Sequence, residues 1–242
     1  MQTTIIVPCY NEEERLPVNT FLCFVKKNKD VQFLFVNDGS IDKTAEVLKK
    51  LSSQNERFLM FDLQKNVGKA EAVRQGMLYA VEHSNSNYIG FWDADLSTSL
   101  NEIERFIDCF QKNNCQMVMG CRLRRLGANV KRNKIRHYLG RIFASSASIV
   151  LKLQVYDTQC GAKLFKNNIV SSLFEKPFIS RWIFDVELVA RYITIFGLEE
   201  ATKNIYEYPV SSWEDVDGSS VKMKDFFKAP IELWKIKRKY LK

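Results

Sequence analysis

Short apolar runs alternating with longer amphipathic stretches occupy the first half of the chain, and that alternation constrains the fold more than any other feature. Thr3–Pro8, Val31–Asn37, Arg57–Phe61, Tyr88–Trp92 and Gln116–Gly120 have the length and apolarity of buried strands. Between them, Glu12–Lys29, Asp42–Ser53, Gly68–His83 and Asn101–Asn113 have helical spacing. Asp42 is placed to cap the second of these helices, and Ser99 to cap the fourth with Glu102 three residues on. Strand, helix, strand, repeated, predicts an α/β fold with a mostly parallel sheet flanked by helices. In such sheets ligands gather outside the carboxyl ends of the strands. Pro8–Glu12, Asn37–Ser40 and Asp93–Ser97 fall at those ends.

A chain of 242 residues with 46% hydrophobic residues suits one domain with an appendage. The expected division is a domain over 1–220, with halves 1–120 and 121–220, followed by a basic helical segment over 221–242. With 10 Gly and 5 Pro, a collagen-like chain is excluded. No uncharged stretch approaches the roughly 20 residues that span a bilayer, so no transmembrane helix is expected. The N-terminus lacks the basic flank of a signal peptide. The six cysteines form no CxxC pair and have no histidine partner at zinc-ligand spacing. They are expected to be reduced core thiols of a cytoplasmic protein.

The net charge of +8 is unevenly placed. From Cys109 to Tyr156 there are ten basic residues and no acid, and Lys222–Lys242 carries +6, which leaves −8 on the remainder. Each basic segment also bears apolar residues at helical spacing. In Lys134–Leu153 these are Ile135, Tyr138, Leu139, Ile142, Ile149, Val150 and Leu153. In Asp225–Leu241 they are Phe226, Phe227, Ile231, Trp234 and Leu241. Such segments suit a protein lying on an anionic membrane surface; equally, the stripes could face the core with the charges solvated. No RNP, zinc-finger or helix-turn-helix pattern accompanies the charge, so nucleic acid is not an expected partner.

Asp93-Ala94-Asp95 directly follows an apolar strand. Two carboxylates one residue apart at a strand end can hold a hard divalent cation that bridges the phosphates of a nucleotide. Asp38, before Gly39-Ser40, is placed either to accept from a base N–H or to cap the next helix. Asn66-Val67-Gly68-Lys69 opens a helix and can bring its N-terminus and an ammonium near phosphate. It is not a Walker loop, because the preceding glycine and the following Ser or Thr are missing.

Ile5–Glu13, Val36–Ser40, Asn66–Lys69 and Asp93–Asp95, in that order and at those distances, resemble family 2 of the inverting, nucleotide-sugar-dependent glycosyltransferases. Asp157–Phe165, Arg181–Leu188, Trp213-Glu214 and Gly218–Ser220 look like the matching blocks of its dolichyl-phosphate β-glucosyltransferase branch. The resemblance implies a GT-A fold, with a Rossmann-like nucleotide-binding sheet. It implies transfer of a hexose, glucose first in expectation, from a UDP- or GDP-sugar to a polyprenyl phosphate, with Mg2+ or Mn2+. It carries roles onto residues: Pro8, Tyr10, Asn11, Glu12 and Asp38 frame base and ribose, with Gly68 and Lys69 nearby. Asp93 and Asp95 meet the diphosphate and the metal. Arg122 and Arg136 hold the lipid phosphate. Gln159, Asp185 and Glu187 line the sugar pocket or organise the loop that closes over it.

This chain departs from the family pattern in three places. Ser97 stands where the mannosyl branch carries a Gln metal ligand, leaving water or Thr98 to fill in. Ala70-Glu71 replaces a commoner Gly-Ala, and the terminal transmembrane helices of many relatives have no counterpart. Membrane contact, at the cytoplasmic face, would then come from the two basic segments. A lipid phosphate is largely ionised at neutral pH, so no strong general base is required. A second reading is a family 2 enzyme elongating a surface glycan, which needs a base such as Asp185 or Asp157. A third is a non-catalytic membrane- or nucleic-acid-binding module.

Overall fold

The computed structural model describes residues 1–131, 134–214 and 223–241, with side chains given outside 131–136 and 223–227. The first-half strands are β1 (Thr3–Cys9), β2 (Val31–Asp38), β3 (Phe58–Leu63), β4 (Tyr88–Trp92) and β5 (Met117–Cys121). Three intervening helices also lie close to expectation: α2 (Thr44–Ser52), α3 (Lys69–His83) and α4 (Glu102–Asn113). The first helix does not, because α1 spans Val18–Lys27 rather than starting at Glu12. Residues 12–16 form a single turn, in which the N–H groups of Arg15 and Leu16 donate to the Glu12 carbonyl at 3.1 and 2.9 Å. Pro17 disfavours helical backbone at the residue before it, so the helix can begin only after it.

The described residues divide into two compact units. One comprises Met1–Leu96 with Ala162–Pro177, the other Ser97–Gly161 with Phe178–Lys242.

In the first unit the strand order is β3-β2-β1-β4-β7, where β7 is Ala162–Lys166. All neighbours are parallel except β4 and β7, which run antiparallel with Phe91 opposite Lys163. β1 is central and almost wholly buried, as expected of a parallel strand covered on both faces. Phe21 of α1 packs edge-on against Phe33 and Phe35 of β2, at centroid separations of 5.1 and 5.0 Å. α3 lies over β1 and β2, and Gly76 lets it approach. A Cβ there would sit 2.8 Å from methyl groups of Ile6 and Val36. α6 (Asn167–Phe174) packs beside α3, and the Arg74 guanidinium bonds the Phe174 and Glu175 carbonyls at its end.

The second unit contains α4 and β5 with later elements. These are β6 (Asn129–Lys131), α5 (Lys134–Leu151), α7 (Phe184–Phe196), α8 (Leu198–Asn204), β8 (Ile205–Pro209), β9 (Ser212–Glu214) and α9 (Met223–Tyr240). β5 pairs with β8 and β6 with β9, both parallel. The Ser99 hydroxyl accepts the Asn101 N–H at 3.3 Å, but Glu102 does not close a capping box. Its buried carboxylate instead binds Arg105 at 2.9 Å and the Ser211 N–H at 3.1 Å. α9 packs on both α5 and α7. Cys23 is exposed, the other five cysteines are buried, and all six are free. Among the described residues no helix is long and apolar enough to cross a membrane.

Candidate active site

In the first unit, three strand ends and one helix start bring the expected nucleotide-binding residues together. After β1 the chain turns through Asn11, whose φ of 54° is left-handed, a conformation Asn tolerates. The turn interlocks with the one before α2. Asn11 N–H donates to Ser40 Oγ at 3.1 Å, Ile41 N–H to Asn11 Oδ1 at 3.0 Å, and Glu12 N–H to Thr44 Oγ1 at 2.7 Å. Asp42 joins this lock, accepting from the Thr44 N–H at 3.0 Å and the Glu13 N–H at 3.2 Å. Pro8 is half-buried and Tyr10 exposed on the rim.

Asp38, at the end of β2, is buried. Its Oδ1 accepts the Val67 N–H at 2.7 Å and its Oδ2 the Gly68 N–H at 2.9 Å. This carboxylate therefore holds the loop that leads into α3. The adjacent Gly39 has φ +60°, and a Cβ there would lie 2.3 Å from the Lys65 carbonyl carbon. Asn37 completes the hub by donating to Asp62 at 2.6 Å and accepting the Ser40 N–H at 3.2 Å.

α3 begins at Lys69 with no side-chain cap, so its first N–H groups are not taken by a capping side chain. The Lys69 ammonium forms an ion pair with Asp93, at the end of β4. Asp95 follows two residues later, and Leu96, at φ 51°, turns the chain back with its N–H on the Asp93 carbonyl. Glu12 belongs to the same acidic group. Burial raises its carboxyl above the usual range, Arg15 at 2.7 Å opposes that shift, and the charge of Asp95 adds to it. Glu12 Oε2 is buried without a hydrogen-bond partner, the kind of atom a ligand satisfies. Burial, with Glu12 contributing, also pushes the Cys9 thiol up, which suits an inert core thiol. Among the described residues no cluster of three His, Cys, Asp or Glu is arranged around a metal position. A divalent ion fits here only in the manner typical of magnesium, through one or two carboxylates with phosphate and water completing the shell.

The second unit holds the other expected residues. Arg122, just after β5, grips Asp157 at two points, Nε to Oδ2 at 2.6 Å and Nη2 to Oδ1 at 2.8 Å. Its own N–H also donates to Asp157 Oδ2, at 3.0 Å, and its guanidinium lies 5.1 Å from the Trp213 ring centroid. Glu207 of β8, which nothing in the sequence singles out, accepts the backbone N–H groups of Tyr156 and Asp157, both at 2.7 Å. Burial raises the Glu207 carboxyl and the charge of Asp157 adds to the rise, while those two N–H groups and Arg141 oppose it. Burial likewise raises the Cys121 thiol. Gln159 Nε2 and Thr158 Oγ1 are buried without hydrogen-bond partners. Thr98 is buried with its hydroxyl 3.6 Å from Cys160 Sγ.

Asp185 is buried in the first turn of α7. Glu187, two residues further on, is fully buried. Its Oε1 takes Arg191 at 2.8 Å and the Tyr240 hydroxyl at 2.9 Å, and its Oε2 the Ile179 and Ser180 N–H groups at 2.8 and 3.3 Å. Both of its oxygens are thus engaged within the fold, on the segment before α7, on α7 itself and on α9. The side chain of Arg136 and the Gly218–Ser220 block lie outside the described residues. Lys163, inside the Asp157–Phe165 block, is fully buried with its ammonium 5.4 Å from the Phe91 ring centroid.

Comparison with known proteins gives concordant results. The model of a family described as "Glycosyl transferase family 2" matches residues 4–174. Dolichyl-phosphate beta-glucosyltransferase of Dictyostelium discoideum is 32% identical, over 97% of this chain and 76% of that protein. The protein of the same name from Saccharomyces cerevisiae is 30% identical, over 98% and 75%. Among solved structures, glucosyl-3-phosphoglycerate synthase from Mycobacterium tuberculosis, in complex with Mn2+, uridine diphosphate and glucosyl-3-phosphoglycerate, superposes with a TM-score of 0.66. It is 13% identical, and the match covers 97% of this chain and 78% of that one. At that identity the likeness establishes the fold, which is GT-A.

Proposed function

The chain belongs to glycosyltransferase family 2, and from that premise we propose that it transfers glucose from UDP-glucose to a polyprenyl phosphate with inversion at the anomeric carbon. One observation carries the donor half. The uncapped start of α3, the Lys69 ammonium, the Asp93–Asp95 pair and the partnerless oxygen of Glu12 meet at the carboxyl ends of β1, β2 and β4. A cation and a helix N-terminus beside paired carboxylates suit a nucleotide diphosphate. The acceptor half rests on the names of the relatives, with Arg122, held in place by Asp157, assigned to the phosphate by the family resemblance.

In this reading Pro8, Tyr10, Asn11 and Glu12 frame the base and ribose, and Asp38 holds Val67 and Gly68 in place beneath them. Gln159 and Asp185 face the sugar, Glu187 positions the segment before α7, and Arg122 with Arg136 receives the lipid phosphate. Asp93 and Asp95 would hold Mg2+ or Mn2+, which supplies positive charge against the departing diphosphate. The acceptor oxygen is already ionised near pH 7, since the second pKa of a phosphate monoester is about 6. The protein's task is then alignment and charge stabilisation rather than proton removal. The engagement of both Asp157 oxygens with Arg122 argues against Asp157 as the base that glycan elongation requires. Residues 1–220 form the catalytic part, and the segment 221–242 attaches it peripherally to the cytoplasmic face of a membrane.

The test uses the full chain, a polyprenyl phosphate in detergent, and radiolabelled UDP-glucose or GDP-mannose, each with Mn2+ or EDTA. Label entering the organic phase from UDP-glucose, only with metal, is the expected result. Asp95→Ala should abolish that transfer while the protein stays folded. Transfer from neither donor by folded protein would overturn the proposal, and metal-independent transfer would remove the ion.

A further inference from the structure

The sequence leaves open whether the apolar stripes of the two basic segments face the core, and the structure separates inner from outer positions. In α5 the buried face is Phe143, Ala144, Ala147 and Leu151. Tyr138, Ile142 and Ile149 are 69%, 65% and 76% exposed, on the opposite stripe with Ser145 between them. In α9 the buried face is Ala229, Leu233 and Ile236, while Ile231 and Trp234 are 59% and 56% exposed. Lys228, Lys235 and Arg238 are exposed at three- and four-residue intervals around those two, and the Arg238 guanidinium lies 5.4 Å from the Trp234 ring centroid. The two helices pack on one another within one unit.

The geometry points to these exposed stripes of α5 and α9 as a docking surface for an anionic lipid bilayer. The inference deepens the lipid-phosphate reading and rests on it for the location of the acceptor. Exposed isoleucines with a tyrosine on α5, and an isoleucine and a tryptophan flanked by Lys and Arg on α9, are the composition of helices lying in the headgroup boundary. The charge selects the occupant. α5 lies in a stretch from Cys109 to Tyr156 without an acid. In the side chains described on α9, from Lys228 onward, the one acid is Glu232, whose carboxylate accepts the Ser180 hydroxyl at 2.5 Å. Two copies of such a face would bring like charges together, whereas phosphatidylserine supplies the opposite sign. Nucleic acid would match the charge but not the exposed isoleucines.

The test is co-sedimentation of the full chain with vesicles of phosphatidylcholine, with and without phosphatidylserine, across a salt series. The wild type should pellet with the anionic vesicles alone and release as salt rises. A blue shift of tryptophan emission should accompany binding and be lost in Trp234→Ser. Ile231→Ser with Trp234→Ser, and separately Ile142→Ser with Ile149→Ser, should each weaken binding by at least about tenfold. Lys235→Glu with Arg238→Glu should lose more than about tenfold, each lysine or arginine near such a surface being worth about fivefold. A wild type that stays in the supernatant overturns the proposal, and so do variants that pellet like the wild type. A lipid-free dimer that Trp234→Ser dissolves would also overturn it, assigning the face to self-association. Transfer in detergent with no vesicle binding sinks the docking face alone. Vesicle binding with no transfer in detergent sinks the catalytic reading alone.

Discussion

Arg122 and Asp157, 35 residues apart, hold each other in a two-point ion pair at 2.6 and 2.8 Å, with both side chains largely shielded from water. Asp157 is held in turn by Glu207 through the backbone, and its Oδ1 accepts the Gln159 N–H at 3.1 Å. If Arg122 receives the acceptor phosphate, as proposed, it is thus oriented before the phosphate arrives, which lowers the ordering cost of binding.

Arg122→Lys keeps the charge but loses the fork. The KM for polyprenyl phosphate should rise about tenfold, the loss expected when one charge-assisted hydrogen bond disappears. The donor KM should stay within error. Initial rates with each substrate varied separately check both, and a rise confined to the donor KM would remove Arg122 from the acceptor site.

The elements up to β5 were legible because each is a local signal. Strands such as Tyr88–Trp92 are buried on both faces, so their apolar runs are unbroken. The start of α1 is obscured in the sequence because the acidic run Glu12–Glu14 reads as a first helical turn, while Pro17 moves the start to Val18. The nucleotide-side residues lie at strand ends, where topology alone draws attention. Glu207 had no such signal: it sits in an ordinary strand, and its partners Tyr156 and Asp157 are 51 and 50 residues away. The outward turn of Tyr138, Ile142 and Ile149 was equally hidden. α5 buries small residues such as Ala144 and Ala147, which a search for large apolar side chains passes over.

Gly39→Ala should destabilise the first unit. The added Cβ meets backbone atoms of Lys65 and Asn66 at 2.3 and 2.4 Å, and the φ of +60° is itself unfavourable for alanine. Left-handed strain alone costs about 1–2 kcal/mol and the backbone clash adds to it. The urea midpoint should fall, and affinity for UDP should weaken, because Asp38 next door holds the Val67–Gly68 loop. An unchanged midpoint would contradict the packing of Gly39 on Lys65.

Glu207 sets a pH dependence of known sign. Its folded carboxyl titrates above its unfolded value, so the folded state binds more protons between the two. Stability from this group is therefore lost as pH rises from the ordinary glutamate range through the raised value. Glu207→Gln removes that slope but keeps a carbonyl oxygen for only one of the Tyr156 and Asp157 N–H groups, leaving the other against the amide NH2. The variant should be less stable than wild type near pH 4.5, and the gap in Tm should narrow toward neutrality. A gap that widens as pH rises would mean the carboxyl is not raised.

The last helix is fastened to α7 by two bonds from Tyr240: its hydroxyl donates to Glu187 Oε1, and its carbonyl accepts the Thr194 hydroxyl at 2.8 Å. Removing either partner of the first bond should have unequal effects. In Tyr240→Phe, Glu187 keeps Arg191 and the Ile179 and Ser180 N–H groups, so the loss is one hydrogen bond to a charged group, about 1.5–3 kcal/mol. In Glu187→Gln, the buried ion pair with Arg191 is broken, which costs about 3–5 kcal/mol. Arg191 also lies 4.2 Å from the Phe178 ring centroid, so this loss should spread into the segment that precedes α7. Urea denaturation should rank wild type above Tyr240→Phe and Tyr240→Phe above Glu187→Gln. The donor KM should rise in Glu187→Gln more than in Tyr240→Phe, because only the former breaks the buried ion pair with Arg191 and so loosens the first turn that carries Asp185. Equal losses in the two variants would show that the tie to α9, rather than the buried charge, sets the order of that segment.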